Sequence, residues 1–229
     1  MAKLIIAGII SVIVSYLLGS CNSSIIVVRL LKHEDIREHG SKNAGLTNTL
    51  RCYGKFPALL TLLGDLGKGI VSVLLSILIF RLLVGTDGFD VKTVGYISGI
   101  AAILGHIFPI YYGFRGGKGI LVSCSILIVI DWQTFVIIIP FFAVVLLISK
   151  YVSVASIASA VFYPILTFLL HYFVEGIELR LCLIHTMLVA VTSVLLIYMH
   201  RANIKRLREG TENKFFKKKA STNTEGKEG

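Results

Sequence analysis

The chain has 229 residues, of which 55% are hydrophobic and 16% charged, with a formal net charge of +10. A mean hydropathy of +0.81, with a charged fraction far below the roughly 25% of soluble domains, predicts an integral membrane protein without a separate soluble domain. The excess charge does not read as a nucleic-acid signature, because it is gathered in loops between apolar runs, where positive-inside bias and anionic headgroups account for it.

Apolar runs predict seven spans, at about 3–28, 57–84, 94–110, 119–131, 133–149, 154–174 and 179–199. The first run, with Lys3 and Leu-Gly-Ser-Cys, imitates a lipoprotein signal cleaved before Cys21. Apolar character resumes at Ile25 and the rest of the chain is polytopic, so an uncleaved first helix is expected. The stretch 119–149 is interrupted only by Asp131 and Pro140. One helix of about 30 residues would extend roughly 45 Å, longer than the hydrocarbon core requires, so two spans meeting at an external turn at Asp131-Trp132 are expected.

With seven spans, segments 29–56, 111–118, 150–153 and 200–229 share one side and carry about eighteen of the 23 Lys and Arg. The positive-inside rule makes that side cytoplasmic and puts the N-terminus outside and the C-terminus in the cytoplasm. Residues 1–214 read as one transmembrane domain and 215–229 as a basic, disordered tail in contact with anionic lipid. Cys21, Cys52, Cys124 and Cys182 have no C-x-x-C spacing, so neither a metal site, a disulfide framework nor a cofactor is indicated.

Several polar clusters punctuate the predicted cytoplasmic side. REHGSKNAGLTNTLRCYGK, residues 37–55, mixes glycines with Ser41, Asn43, Asn48 and Arg51, offering neutral donors and a guanidinium fork for phosphate oxygens, although a plain loop with capping residues has the same composition. GDLGKG, residues 64–69, sets Asp65 and Lys68 three apart near hydrocarbon, as an internal ion pair or as support for a site. GHIFPIYYGFRGGKG, residues 105–119, brings Gly117, Lys118 and Gly119 together as a candidate phosphate cradle. The spacing is not that of a Walker A loop, which removes a nucleotide reading. Ser153 and Ser156 share one helical face, as packing residues or ligands. In HRANIKRLREGTENK, residues 200–214, His200 and Asn203 share a face, and Glu212 is a partner for a cation from another loop. Together the clusters imply an anion site at the cytoplasmic membrane surface.

GSKNAGLTNTLRCYGK, LTLLGDLGKG, AAILGHIFPIYYGFRGGKG, YVSVASI and HRANIKRLREGTE, in this order, resemble the bacterial acyl-phosphate-dependent glycerol-3-phosphate acyltransferases, and the resemblance extends to about residue 215. It implies an enzyme of the cytoplasmic membrane that moves a fatty acyl group from acyl phosphate to the 1-hydroxyl of glycerol 3-phosphate, giving lysophosphatidic acid and phosphate, the first step of phospholipid synthesis. It further implies that Ser41, Asn43, Gly117, Lys118, Gly119, Ser153, Ser156 and Glu212 surround the phosphates. Lys118, Arg51, His200 and Asn203 are the implied catalytic set, with Asp65 and Lys68 in support. Glycerol 3-phosphate, acyl phosphate, membrane lipid and the enzyme that makes acyl phosphate are the implied partners, and no metal is required. The His-x4-Asp arrangement of acyl-CoA or acyl-carrier-protein glycerolipid acyltransferases is absent, since no histidine has Asp five positions on.

The chain departs from the family pattern at Ala44 and Leu46, at Ile120-Leu121-Val122 after the lysine, and at Asn22, where proline is usual. A transporter of organic phosphates would also want a basic vestibule, but it predicts an internal repeat, and none is evident. A noncatalytic lipid-binding scaffold needs the basic tail but not the glycine-lysine and Ser41-Asn43-Arg51 clusters.

Overall fold

The computed structural model describes residues 1–215; the expected tail at 215–229 lies, from residue 216 on, outside the described residues. Within residues 1–215 the regular structure is helical, without strands. The helices are α1 (Ala2–Ser20), α2 (Ser23–Lys32), α3 (Leu46–Tyr53), α4 (Lys55–Val84), α5 (Val91–Ile107), α6 (Ile120–Ile130), α7 (Trp132–Ser149), α8 (Val152–Leu169), α9 (Leu179–Met199) and α10 (Arg201–Arg208).

Six stretches are long and apolar enough to cross a membrane, the first being α1 and α2 taken together. The remaining expected span, at 119–131, is α6, as short as its expected bounds. Its 11 residues extend about 16 Å, roughly half a hydrocarbon core. It begins at Gly119, whose φ of 86° stops a helix from continuing backwards, and ends at Asp131, whose φ of −148° breaks the run before α7. Irregular backbone on both sides of so short a helix is tolerated at membrane depth only where protein surrounds it. The break at Asp131-Trp132 falls where expected, but Asp131 is fully buried instead of lying on an external turn, and it accepts a hydrogen bond from Tyr96 at 2.7 Å.

The first expected span is likewise divided. α1 ends at Cys21, and Asn22 caps α2: its Oδ1 accepts from the Ile25 N–H at 3.2 Å and from Ser24 Oγ at 2.8 Å. The side chain is fully buried, so the residue that replaces the usual proline does the same work of starting a new helix, by capping instead of by fixed φ.

α1 packs on α4 and α5, α4 on α6, and α8 lies between α7 and α9. Gly19 and Gly105 set the closest approach, each facing backbone of the other helix where a Cβ has no room, Gly19 against Ala102 and Gly105 against Tyr16 and Ser20. Ser15 and Ser76 bridge α1 and α4 at 3.1 Å. Exposed Leu82, Ile148 and Val194 belong to an outer apolar surface suited to lipid chains. The core is therefore small residues and buried hydroxyls, and the large aliphatic side chains are divided between it and the outside.

Candidate active site

A cavity of about 310 Å³ opens where four segments distant in sequence converge. The loop before α3 and α3 itself bring Ser41, Asn43 and Arg51; the residues entering α6 bring Lys118 and Gly119; the first turn of α8 brings Ser153 and Ser156; the α9–α10 junction and the chain after it bring His200, Asn203, Arg206 and Glu212. All but one of the residues expected at the phosphates line it. Gly117 does not, although it sits beside Lys118.

The 41–51 loop is shaped by Asn48. Its buried amide donates to the carbonyls of Ile36, His39 and Asn43 at 3.3, 3.0 and 3.1 Å, while Oδ1 accepts from the Ser41 N–H at 2.9 Å. One side chain thus replaces the backbone hydrogen bonds that this irregular segment lacks. Arg37 ties the loop to the second one: it holds Asp35 through two bonds, at 2.9 and 2.7 Å, and donates to the Tyr112 and Arg115 carbonyls at 2.6 and 3.2 Å. The Arg37 guanidinium keeps the Asp35 carboxyl well below the usual carboxylate range.

In the Gly-Gly-Lys-Gly turn the glycines are chosen by packing. The Gly116 and Gly117 N–H groups donate to the Ile107 and His106 carbonyls at 3.0 and 3.1 Å, so the Gly117 N–H is already engaged. A Cβ on Gly117 would strike the His106 ring and the Ala44 carbonyl. Ala44, one of the departures from the family pattern, is fully buried and belongs to a cluster with Ile25, Val28 and Ile36.

His106 is in turn fixed by the Asp65–Lys68 pair. Lys68 Nζ lies 2.8 Å from Asp65 Oδ1, 2.9 Å from His106 Nδ1 and 3.0 Å from the Cys21 carbonyl. An ammonium only donates, so His106 Nδ1 carries the lone pair and the ring proton is on Nε2. The ion-pair alternative is what the structure shows, and the pair joins α4 and α5 to the end of α1 behind the Lys118 turn.

At the mouth, Lys118 Nζ donates to Asn203 Oδ1 at 2.5 Å, and Asn203 Nδ2 donates to Glu212 Oε1 at 2.6 Å. Glu212 also accepts from Ser153 Oγ at 3.0 Å and from Arg206 Nε at 2.6 Å. Burial lowers the Lys118 pKa to about 8, with Arg206 and Arg51 adding to the effect and Glu212 opposing it. Burial, with Lys118 nearby, lowers His200 to about 4, and its Nδ1 donates to the Leu196 carbonyl at 2.8 Å. His200 is therefore neutral near pH 7 with its lone pair on Nε2. Arg51 forms no side-chain hydrogen bond among the described residues. The mouth is thus a set of cations and amide donors with one carboxylate to hold them, short of negative charge until an anion arrives.

Behind the mouth the lining turns apolar through Leu121, Cys124, Leu127, Ile138, Phe142 and Tyr163, and it reaches the outer surface at Ile139, which is 38% exposed. Arg206 and the organising roles of Asn48, Arg37 and Asn22 were not foreseen. Only Asn48 carried a signal, as an amide within a glycine-rich loop.

A helical membrane bundle whose cationic, amide-lined mouth continues into an apolar slot is a protein built around an anionic head with a hydrocarbon chain. The sequence profile of the family described as glycerol-3-phosphate acyltransferase matches residues 9–210. A glycerol-3-phosphate acyltransferase of Shouchella clausii is 40% identical over 223 residues, covering 95% of this chain and all of that protein. One from Clostridioides difficile is 38% identical over 215 residues, covering 94% and 98%. The crystal structure of PlsY, an integral membrane glycerol 3-phosphate acyltransferase, in its glycerol 3-phosphate form superposes with a TM-score of 0.75 at 31% identity, covering 91% of this chain and 96% of that one. Its lysophosphatidic acid form gives 0.73 at 30% identity. The chain belongs to the glycerol-3-phosphate acyltransferase family, of the PlsY type.

Proposed function

We propose that this acyltransferase takes its acyl group from acyl phosphate and delivers it to the 1-hydroxyl of glycerol 3-phosphate, releasing lysophosphatidic acid and inorganic phosphate. The observation that carries the reading is the Lys118–Asn203–Glu212 chain, with Arg51 and Arg206 beside it, at the head of a cavity whose other end is apolar. Two phosphates and one acyl chain need just such a division. Glycerol 3-phosphate and lysophosphatidic acid are the ligands named for the two PlsY structures.

In this reading Ser41, Asn43 and Arg51 hold one phosphate, and Lys118, with the Gly119 turn and Ser156, holds the other. The glycerol 1-hydroxyl attacks the acyl carbonyl carbon, the bond from that carbon to the phosphate oxygen breaks, and the electron pair leaves with phosphate. Lys118 and Arg51 neutralise the charge that grows on the leaving oxygens, a contribution of several kcal/mol in a water-poor site. Asn203, Ser153 and Glu212 keep the ammonium aimed. His200 Nε2 accepts the hydrogen bond of the attacking hydroxyl. A base with a pKa near 4 is too weak to retain the proton at neutral pH, so a phosphate oxygen, with a second pKa of about 6, takes it. None of the cavity serines, nor Cys124, is hydrogen-bonded to His200 among the described residues, which favours direct transfer over an acyl-enzyme.

The lysine- and arginine-rich loops support a cytoplasmic site, with the N-terminus outside, in the cytoplasmic membrane of a bacterium. Residues 1–214 then act as one transmembrane unit, and the acyl-phosphate-forming enzyme is the supplier that meets this face. The donor is tested by incubating the purified protein with glycerol 3-phosphate and palmitoyl phosphate, palmitoyl-CoA or palmitoyl acyl-carrier protein in turn. Lysophosphatidic acid from the first alone supports the reading, and equal product from a thioester overturns it.

A further inference from the structure

At the other end of α6 from the Lys118 turn lies a second polar cluster that the reaction does not use. α6 runs from the Lys118 turn to Asp131, and α8 runs from Ser153 to the π-helical turn Leu170–Val174, which carries His171 and leads into Glu175. Asp131 and His171 are fully buried, and Glu175 is partly buried, with 16% of its side chain exposed. One ligand atom from each of the three lies within 4.8 Å of the others.

We propose that Asp131, His171 and Glu175 bind a divalent transition-metal ion of the zinc type. Three observations support this. Asp131 Oδ1 and Glu175 Oε1 are buried without a hydrogen-bond partner among the described residues, an arrangement costly for carboxylates unless a cation completes it. Asp131 Oδ1 lies 3.5 Å from His171 Nε2 without a hydrogen bond between them. Two ligands at 2.0–2.2 Å from one tetrahedral zinc are about 3.4 Å apart.

The third observation is the state of the imidazole. Lys92 Nζ lies 3.0 Å from His171 Nε2 and 2.7 Å from Glu175 Oε2, and an ammonium has only donors, so Nε2 presents a lone pair to the site. The ring proton is then on Nδ1, which donates to His185 Nδ1 at 3.3 Å, and His185 Nε2–H donates to Asp90 Oδ2 at 2.8 Å. His171 thus already has the tautomer that metal coordination requires, and its other nitrogen is oriented through a histidine by a carboxylate, as metal-ligating histidines usually are. Lys92, on a flexible stem and about one-fifth exposed, occupies the cation position and competes with the metal for it. π-turns recur at functional sites, and this one brings His171 and Glu175 to the same face.

The test is a Co²⁺ titration of the full-length protein in detergent, read by visible d–d absorption, followed by Zn²⁺ displacement. The expected result is an intense tetrahedral band that saturates near one equivalent, is bleached by Zn²⁺ and is unchanged in Lys118→Ala. His171→Gln and Asp131→Asn should each weaken binding by at least about tenfold, whereas Lys92→Met, which removes the competing ammonium, should tighten it. Lys92→Met decides the matter even where a ligand variant fails to fold. No band in either the parent or Lys92→Met overturns the proposal, as does a band that survives in a folded His171→Gln.

Discussion

Lys118 Nζ and Asn203 Oδ1 stand 2.5 Å apart across 85 residues of sequence. The contact joins the turn before α6 to the first turn of α10, and it fixes an ammonium that burial alone would tend to discharge. Asn203 is held from behind by Glu212, which also holds Arg206 and Ser153. Two of the four segments around the cavity meet in that one carboxylate, and a third reaches it through Asn203.

Glu212→Gln should therefore act through position more than through charge. The isosteric amide keeps the volume but replaces one accepting oxygen with a donor, so Asn203 or Arg206 loses its partner. A misplacement of the order of 1 Å costs about 10²-fold in rate. The expected loss in kcat/KM is tenfold to a hundredfold with little change in thermal stability, measured by product formation and by unfolding in detergent.

The Lys118 pKa of about 8 sets the alkaline limb of activity. Above pH 8 the free site loses the ammonium that a phosphate needs, so KM for glycerol 3-phosphate should rise as pH increases through that value. Below about pH 6 the substrate phosphate itself gains a proton, and affinity falls again. A pH profile of kcat/KM checks both limbs, and the alkaline one should be absent in Lys118→Ala.

Asn48→Ala should unfold the 36–48 loop before it affects the bundle. It removes three donated and two accepted hydrogen bonds around a buried amide, a loss of about 2–4 kcal/mol. Hydrogen exchange should report faster opening of residues 36–51 with α8 and α9 unchanged.

Gly117→Ala places a methyl group against the His106 ring and the Ala44 carbonyl. Overpacking of this kind costs about 1–3 kcal/mol, and relief by moving the turn shifts Lys118. The expected outcome is a lower melting temperature together with a lower kcat.

The span order was legible because runs such as 57–84 and 179–199 are long and predominantly apolar, as membrane helices are. α6 was legible as a short apolar run, but the burial of Asp131 at its end was not, since nothing in Ile120–Ile130 says how deep its ends lie. Ser41, Arg51, Lys118 and His200 could be singled out because charge and hydroxyl groups are conspicuous between apolar runs. Gly117 was not legible: a glycine that admits an anion and one that admits a histidine ring look the same in sequence. The Asp90–His185–His171–Asp131 cluster was invisible for a simpler reason. Its members are spread over some 95 residues, and only the i, i+4 spacing of His171 and Glu175 hinted at a shared face.

The central claim is that Lys118 serves phosphate chemistry on an acyl group carried by acyl phosphate. It is tested most directly by phosphate release from palmitoyl phosphate, with and without glycerol 3-phosphate, for the parent and for Lys118→Ala in detergent or lipid cubic phase. The account predicts release that depends on glycerol 3-phosphate, equals the lysophosphatidic acid formed, and falls by at least about 10²-fold in folded Lys118→Ala. Release that ignores glycerol 3-phosphate, or that survives in that variant, would contradict it.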